Sequence, residues 1–333
     1  MTRSIPRPRR RFVLLCCAIT ALAAAGTTAA LQKPGRTIVR DGQVRLVALN
    51  HASLAFAVGR TKTNCDHVEL WNTDTRGIWR FGKPGPCTNL GSTGAGITAV
   101  AASGTRVLWV RFNGGNLRDW QLMTATTTQR TPKQIRFVEQ DVELASPFAL
   151  GDATGNGGIP YAAGRQVVLL GANGAAIFKH TEPTDVIAVT GGRGPGGAAV
   201  AALRKTGDVA LLRINGSVMQ VFDFPPGAVR AMALAPIGLV VQLPDSVQIR
   251  KGAGVTVVKL PARAVMTDFA EGRILYTRDG EVHAYSVRGG SDTLLLKGSG
   301  AAAVRATYDT HGLGWARGVR VSFACALCFR YRS

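Results

Sequence analysis

Six cysteines carry the most specific chemistry in this 333-residue chain. Cys16 and Cys17 lie inside an N-terminal apolar run, which leaves Cys65, Cys87, Cys325 and Cys328. An even number favours disulfides over zinc, because the two Cys-x-x-Cys pairs of a zinc site are missing. Cys65 and Cys87 bracket an alternating segment at 67–81, so a bridge there closes a loop of about twenty residues, worth ~2–4 kcal/mol. Cys325 and Cys328 form a Cys-x-x-Cys motif. Redox motifs of that spacing sit at a helix N-terminus, where the dipole lowers the thiol pKa. Here the flanks, 319–324 and 329–331, read as strand. A structural bridge across a turn at Ala326-Leu327 is therefore expected.

Two polar segments could bind a ligand. Residues 60–66 carry Arg60, Lys62, Asn64 and Asp66, and residues 113–118 carry Asn113, Asn116 and Arg118, followed by Asp119; His67 and Trp120 open the next strands. A cationic rim with amide donors and an aromatic ring suits an anionic or sugar ligand. The competing reading is that these loops are polar because they are wet and that Trp120 belongs to the core.

"GDATGNGG" at 151–158 has the oxygen-bearing residues of a calcium loop, but only Asp152 brings charge, so a plain turn is expected. The Gly-rich stretch 191–197 precedes no helix that could receive a phosphate and reads as a flexible loop. The five histidines are scattered and no Gly-x-Ser-x-Gly elbow occurs. Glu139, Asp141, Glu143 and Asp268 could serve a glycosidase, which needs two opposed carboxylates, yet nothing singles out a pair. No metal or cofactor is expected.

The elements that must position these residues are strands. From residue 37 onward, apolar or alternating runs of five to seven residues are broken by Gly, Asn-Gly, Asp-Gly and Pro, and no helical period lasts a dozen residues. One motif of four such runs recurs seven times, starting near Val44, Ile97, Leu144, Val186, Val229, Val265 and Val304. The mean spacing of about 43 matches the ~40–50 residues of a four-stranded propeller blade. The sixth copy shows all four runs at 265–269, 273–277, 281–287 and 293–296, with an Arg278-Asp279-Gly280 turn. The fourth contains an Asn215-Gly216 hairpin signal.

The fold class is thus all-β: a single propeller over 36–333 with about seven blades. The seventh copy supplies three strands, so either 36–40 or 329–331 must complete it and close the ring. In a blade, the loop between strands two and three shares a face with the loop leaving strand four. That face holds Cys65, Cys87 and both long polar segments.

Residues 106–127, "RVLWVRFNGGNLRDWQLMTATT", and "HVELWNT" at 67–73 resemble blades of secreted bacterial propellers of the TolB-like and WD-repeat-like kind. The Ser-Pro-Asp-Gly turn common in such blades is absent. The resemblance implies a binding platform.

The N-terminus points outside the cytoplasm. Arg3, Arg7, Arg9, Arg10 and Arg11 precede an apolar run at 12–25, with small-residue cleavage points after Ala25 and Ala30. Residues 1–30 read as a signal peptide; the uncharged stretch 12–32 is also long enough for a retained anchor, the domain's only expected link to a membrane. The chain's net charge of +20 makes polyanions plausible partners, although codon usage could equally produce an Arg-rich surface. Outside the cytoplasm an acidic envelope polymer fits better than nucleic acid. The sequence therefore favours a monomeric, secreted or envelope-located, non-catalytic propeller that binds an envelope polymer or partner protein. The alternative is a propeller hydrolase or lyase acting on an acidic glycan.

Overall fold

A computed structural model describes residues 35–82, 84–88, 94–298 and 304–325. Among the described residues, 28 strands form seven four-stranded antiparallel sheets arranged as a propeller. Strand β1 (Arg36–Val39) comes first. Blade 1 is β2 (Val44–Asn50), β3 (Ser53–Val58), β4 (His67–Asn72) and β5 (Ile78–Phe81). Blade 2 is β6 (Gly94–Ser103), β7 (Arg106–Gly114), β8 (Leu117–Thr126) and β9 (Lys133–Asp141). Blade 3 is β10 (Phe148–Leu150), β11 (Ile159–Ala163), β12 (Gln166–Leu170) and β13 (Ala176–Thr181).

Blade 4 is β14 (Val186–Gly191), β15 (Ala198–Arg204), β16 (Val209–Arg213) and β17 (Val218–Phe222). Blade 5 is β18 (Ala231–Ala235), β19 (Gly238–Gln242), β20 (Val247–Lys251) and β21 (Gly254–Val258). Blade 6 is β22 (Val265–Ala270), β23 (Arg273–Arg278), β24 (Glu281–Ser286) and β25 (Asp292–Leu296). Blade 7 has β26 (Val304–Tyr308), β27 (Gly312–Arg317) and β28 (Arg320–Cys325), with β1 as its outer strand.

The first strands line the axis, each touching the next, and β26 returns to β2. Second strands lie between neighbouring blades, which is why they read as unbroken apolar runs: every residue of β3 is buried. The core is correspondingly divided into clusters between blades. Leu54, Phe56 and Trp71 of blade 1 pack with Val321 and Phe323 of blade 7. Inner strands of blades 1, 2, 4 and 6 carry a register shift, as between Met266 and Asp268. Such bulges bend a strand and re-aim its side chains.

Ring closure follows the first of the two expected routes, with Ile38 opposite Val321. The competing strand at 329–331, the signal segment 1–30 and Cys328 lie outside the described residues. Two expectations about strands need correction. The third blade begins at Phe148 rather than Leu144, which stands 54% exposed in the preceding connection. Residues 113–118 are not a long loop: Asn113 pairs with Asp119, and only Gly115 and Asn116 lie between β7 and β8. The extra residues make longer strands, nine or ten residues each in blade 2. Among the described residues no helix is long and apolar enough to cross a membrane.

Candidate functional site

Cys65, between β3 and β4, and Cys87, after β5, are joined by a disulfide with 4.5 Å between Cα atoms. The shared face expected from blade geometry brings them together. Cys325 is also disulfide-bonded, while the expected pairing with Cys328 falls on a residue outside the described set. Beside the Cys65–Cys87 bridge a groove of about 880 Å3 runs between blades 1 and 2. Its cations are Arg80 from β5, Arg111 from β7 and Arg130 from the β8–β9 connection. Arg80 donates from Nη1 to Asn64 Oδ1 at 3.1 Å, but its buried Nε and Nη2 find no acceptor. Asp66 also lines the groove, its carboxylate 3.2 Å from the Cys65 sulfur. Among the described residues, none of the three arginines forms an ion pair with a carboxylate.

The residues expected to bind ligand divide into three sets. Asp66 lines the groove, and Asn64 orients Arg80 while its own amide donates to Asp41 at 2.6 Å. Arg60 lines a separate cavity of about 80 Å3, and Lys62 is exposed. Asn116, Arg118 and Asp119 stay on the blade 2 hairpin and do not line the groove. The Arg118 guanidinium lies 4.8 Å from the Phe112 ring centre.

His67 and Trp120 are buried, at 2% and 3% exposure. The His67 ring sits between the Cys65 carbonyl at 2.9 Å and Glu69 at 3.2 Å. Trp120 packs between blades 2 and 3 with Leu122, Phe148 and Tyr161. Burial suits both to framework roles. Arg80, Arg111 and Arg130 escaped the sequence reading because two lie within strands and the third in a short connection.

On the opposite face, a cavity of about 440 Å3 opens on the axis. Asp152, Asp268 and Asp309 reach it from blades 3, 6 and 7, each near the end of a first strand. Asp268 Oδ2 accepts from Tyr308 N at 2.8 Å and Thr307 Oγ1 at 3.1 Å, and Oδ1 accepts from Phe269 N. Asp309 accepts from the backbone of His51, His311 and Gly312. These contacts tie blade 6 to blade 7 and blade 7 to blade 1. Asp152 has one weak donor, Thr190 Oγ1 at 3.5 Å.

Enclosure by protein raises all three carboxyls above the usual carboxylate range; Asp268 is pushed up to about 8, with Asp152 adding repulsion. Asp152 is exposed toward the cavity and yet ringed by protein, a setting that solvates charge less well than open water.

The loop at 151–158 is a turn, as expected, with Thr154 Oγ1 accepting from Gly158 N at 3.0 Å. The stretch 191–197 is more fixed than a flexible loop, because Gly192 bridges to Leu234 in blade 5. A Cβ at 192 would collide with the Leu234 backbone. Among the described residues, the group closest to a metal-ligand arrangement is Cys65, Asp66 and Cys87, whose sulfurs are spent on the disulfide.

No protein-family model matches the sequence, and no curated protein matches it. Solved structures do. A chain of the mitotic checkpoint complex is 13% identical with a TM-score of 0.56, over 88% of this chain and 94% of that one. The Neurospora crassa Pan2 WD40 domain is 12% identical with a TM-score of 0.53, over 87% and 95%. The fold is that of WD40 propellers. At such identities the likeness extends to the fold alone, and residue roles must come from this chain's own geometry.

Proposed function

We propose that the chain is a non-catalytic binding propeller working outside the cytoplasmic membrane, where it holds an envelope polymer or a partner protein without transforming it. One observation carries the reading. At the axis, where a propeller hydrolase would place opposed carboxylates, Asp268 and Asp309 each accept three donors, including Thr307 and Tyr308 of the next blade for Asp268 and His51 of blade 1 for Asp309, while Asp152 accepts only from Thr190 among the described residues. The arginine-led apolar N-terminus and the Cys65–Cys87 bridge support an oxidising, exported setting, in keeping with the likeness to secreted TolB-like propellers.

The rival, a hydrolase or lyase on an acidic glycan, draws on the raised Asp268 carboxyl facing Asp152. Its substrate fits poorly. Asp152, Asp268, Glu271 and Asp309 all line the axial cavity, and among the described residues Arg193 is the single arginine there. The test is to incubate the exported domain with envelope polysaccharide and protein fractions, scoring both retention and new chain ends. Retention without cleavage supports the reading; cleavage lost on Asp152→Asn or Asp268→Asn overturns it.

A further inference from the structure

We infer that the groove between blades 1 and 2 is a binding site for a carboxylate-bearing polysaccharide. The inference rests on the binding reading and adds the site and the ligand class. Arg80 is the central observation. Its guanidinium lines the groove as a half-buried cation, held at Nη1 by Asn64 and in no ion pair among the described residues, so its charge stays uncompensated until an anion enters the groove. The planar fork matches the two oxygens of a carboxylate.

Arg111 and Arg130 add two further cations to the lining from separate segments, so a polymer can engage the groove through more than one of its acidic residues. Asn64 holds Arg80 from behind, and the Cys65–Cys87 bridge fixes the adjoining wall. The site is built before the ligand arrives, which reduces the ordering cost of binding.

The walls select among polyanions. Pro84, Pro86 and Pro132 present pyrrolidine rings, against which the C–H faces of sugar rings can pack. A polyphosphate has no such face. Among the described residues the groove offers no aromatic or large aliphatic anchor, and protein–protein contacts are centred on such anchors. Both features favour a sugar polymer over an acidic protein or a phosphate chain.

The experiment titrates the exported domain with an oligogalacturonate, with polyphosphate and with an aspartate-rich peptide, at several salt concentrations. Oligogalacturonate should bind tightest, and its affinity should fall as salt rises. Arg80→Gln should weaken it roughly tenfold or more, as expected for a lost charged hydrogen bond. The double variant Arg111→Ala/Arg130→Ala, which leaves Asn64 and Arg80 in place, should do at least as much. A control that removes more charge than either groove variant, Arg213→Ala/Arg230→Ala/Arg288→Ala, takes away exposed arginines in blades 4 to 6 and should change the affinity less than about twofold, within the range of diffuse screened charge.

Equal losses in control and groove variants would overturn the site. Equal or tighter binding of polyphosphate or peptide would overturn the ligand class. If envelope polymer is retained but the groove variants retain it normally, this inference fails and the binding reading stands; if nothing is retained by the unaltered domain, that reading fails.

Discussion

Thr37 and Ser322 meet hydroxyl to hydroxyl at 2.8 Å although 285 residues separate them. The contact lies within the β1–β28 ladder that completes blade 7. Ile38, in the same ladder, packs against the cluster of Leu54, Trp71 and Phe323, whereas Val39 faces solvent at 62% exposure. Ile38→Ala should therefore lower stability by about 1–2 kcal/mol, and Val39→Ala by less than about 0.5. Urea unfolding midpoints of the two variants check this, and equal losses would show that β1 does not seal the ring through its apolar face.

The Cys65–Cys87 bridge spans 22 residues of sequence. Cys65→Ser/Cys87→Ser should cost about 2–4 kcal/mol, the usual range for releasing a loop of this length. Denaturant titrations should place the double variant well below the oxidised protein, and reductant should shift the double variant much less than the unaltered chain.

Trp120 tests a framework role against a ligand-binding one. Its indole is buried between blades 2 and 3, with the Phe112 ring 5.3 Å away. Trp120→Ala should destabilise by about 3–5 kcal/mol through the cavity it leaves. Trp120→Phe should recover much of that loss, and oligogalacturonate affinity measured on the folded Phe variant should match the unaltered chain. A binding defect in Trp120→Phe without a stability defect would place the ring in a ligand site after all.

The axial carboxyls make stability depend on pH in a defined direction. Asp268 holds its proton in the folded state up to about pH 8, whereas in an unfolded chain it releases it near pH 4. Between those values the folded state binds more protons, so stability falls as pH rises, with a limiting slope of about 1.4 kcal/mol per pH unit, and levels off above. Asp152 and Asp309, both raised, act in the same sense. Asp208 and Glu281 are lowered, so their contribution is lost only in acid, below this window. Unfolding midpoints from pH 5 to 9 should decline, and Asp268→Asn should flatten the decline; a rise over that range would contradict it.

The blades were legible because tight turns and short apolar runs are local signals. Expected first strands at Val44, Val186, Val265 and Val304 coincide with observed starts. Leu144 misled because 142–147 holds apolar residues but also Pro147, and the strand forms only beyond it. The Asn-Gly-Gly-Asn run at 113–116 suggested a wide loop, yet cross-strand pairing carries Asn113 and Asp119 into the ladder.

The groove was not legible in the same way. Arg80, Arg111 and Arg130 are far apart in sequence and line one groove where blade 2 packs against blade 1, as through Trp109 and Phe81. In the sequence Asp152 has only the signature of a turn, since its axial position emerges only when the blades are assembled. Asp268 stands out as a carboxylate in the sequence, but its donors on blade 7 come from 39 and 40 residues further along the chain.

The union of β1 with β28 also sets an order of events during synthesis. Blades 1 to 6 each draw on one continuous stretch of chain and can assemble as it emerges, but blade 7 takes its outer strand from 36–39 and its other three from 304–325. Until residue 325 has cleared the ribosome, β1 has no partner, and the faces of blades 1 and 6 that will meet blade 7 remain open to water and to other chains. The interval before closure is the period of greatest aggregation risk, and it ends when β28 arrives beside β1.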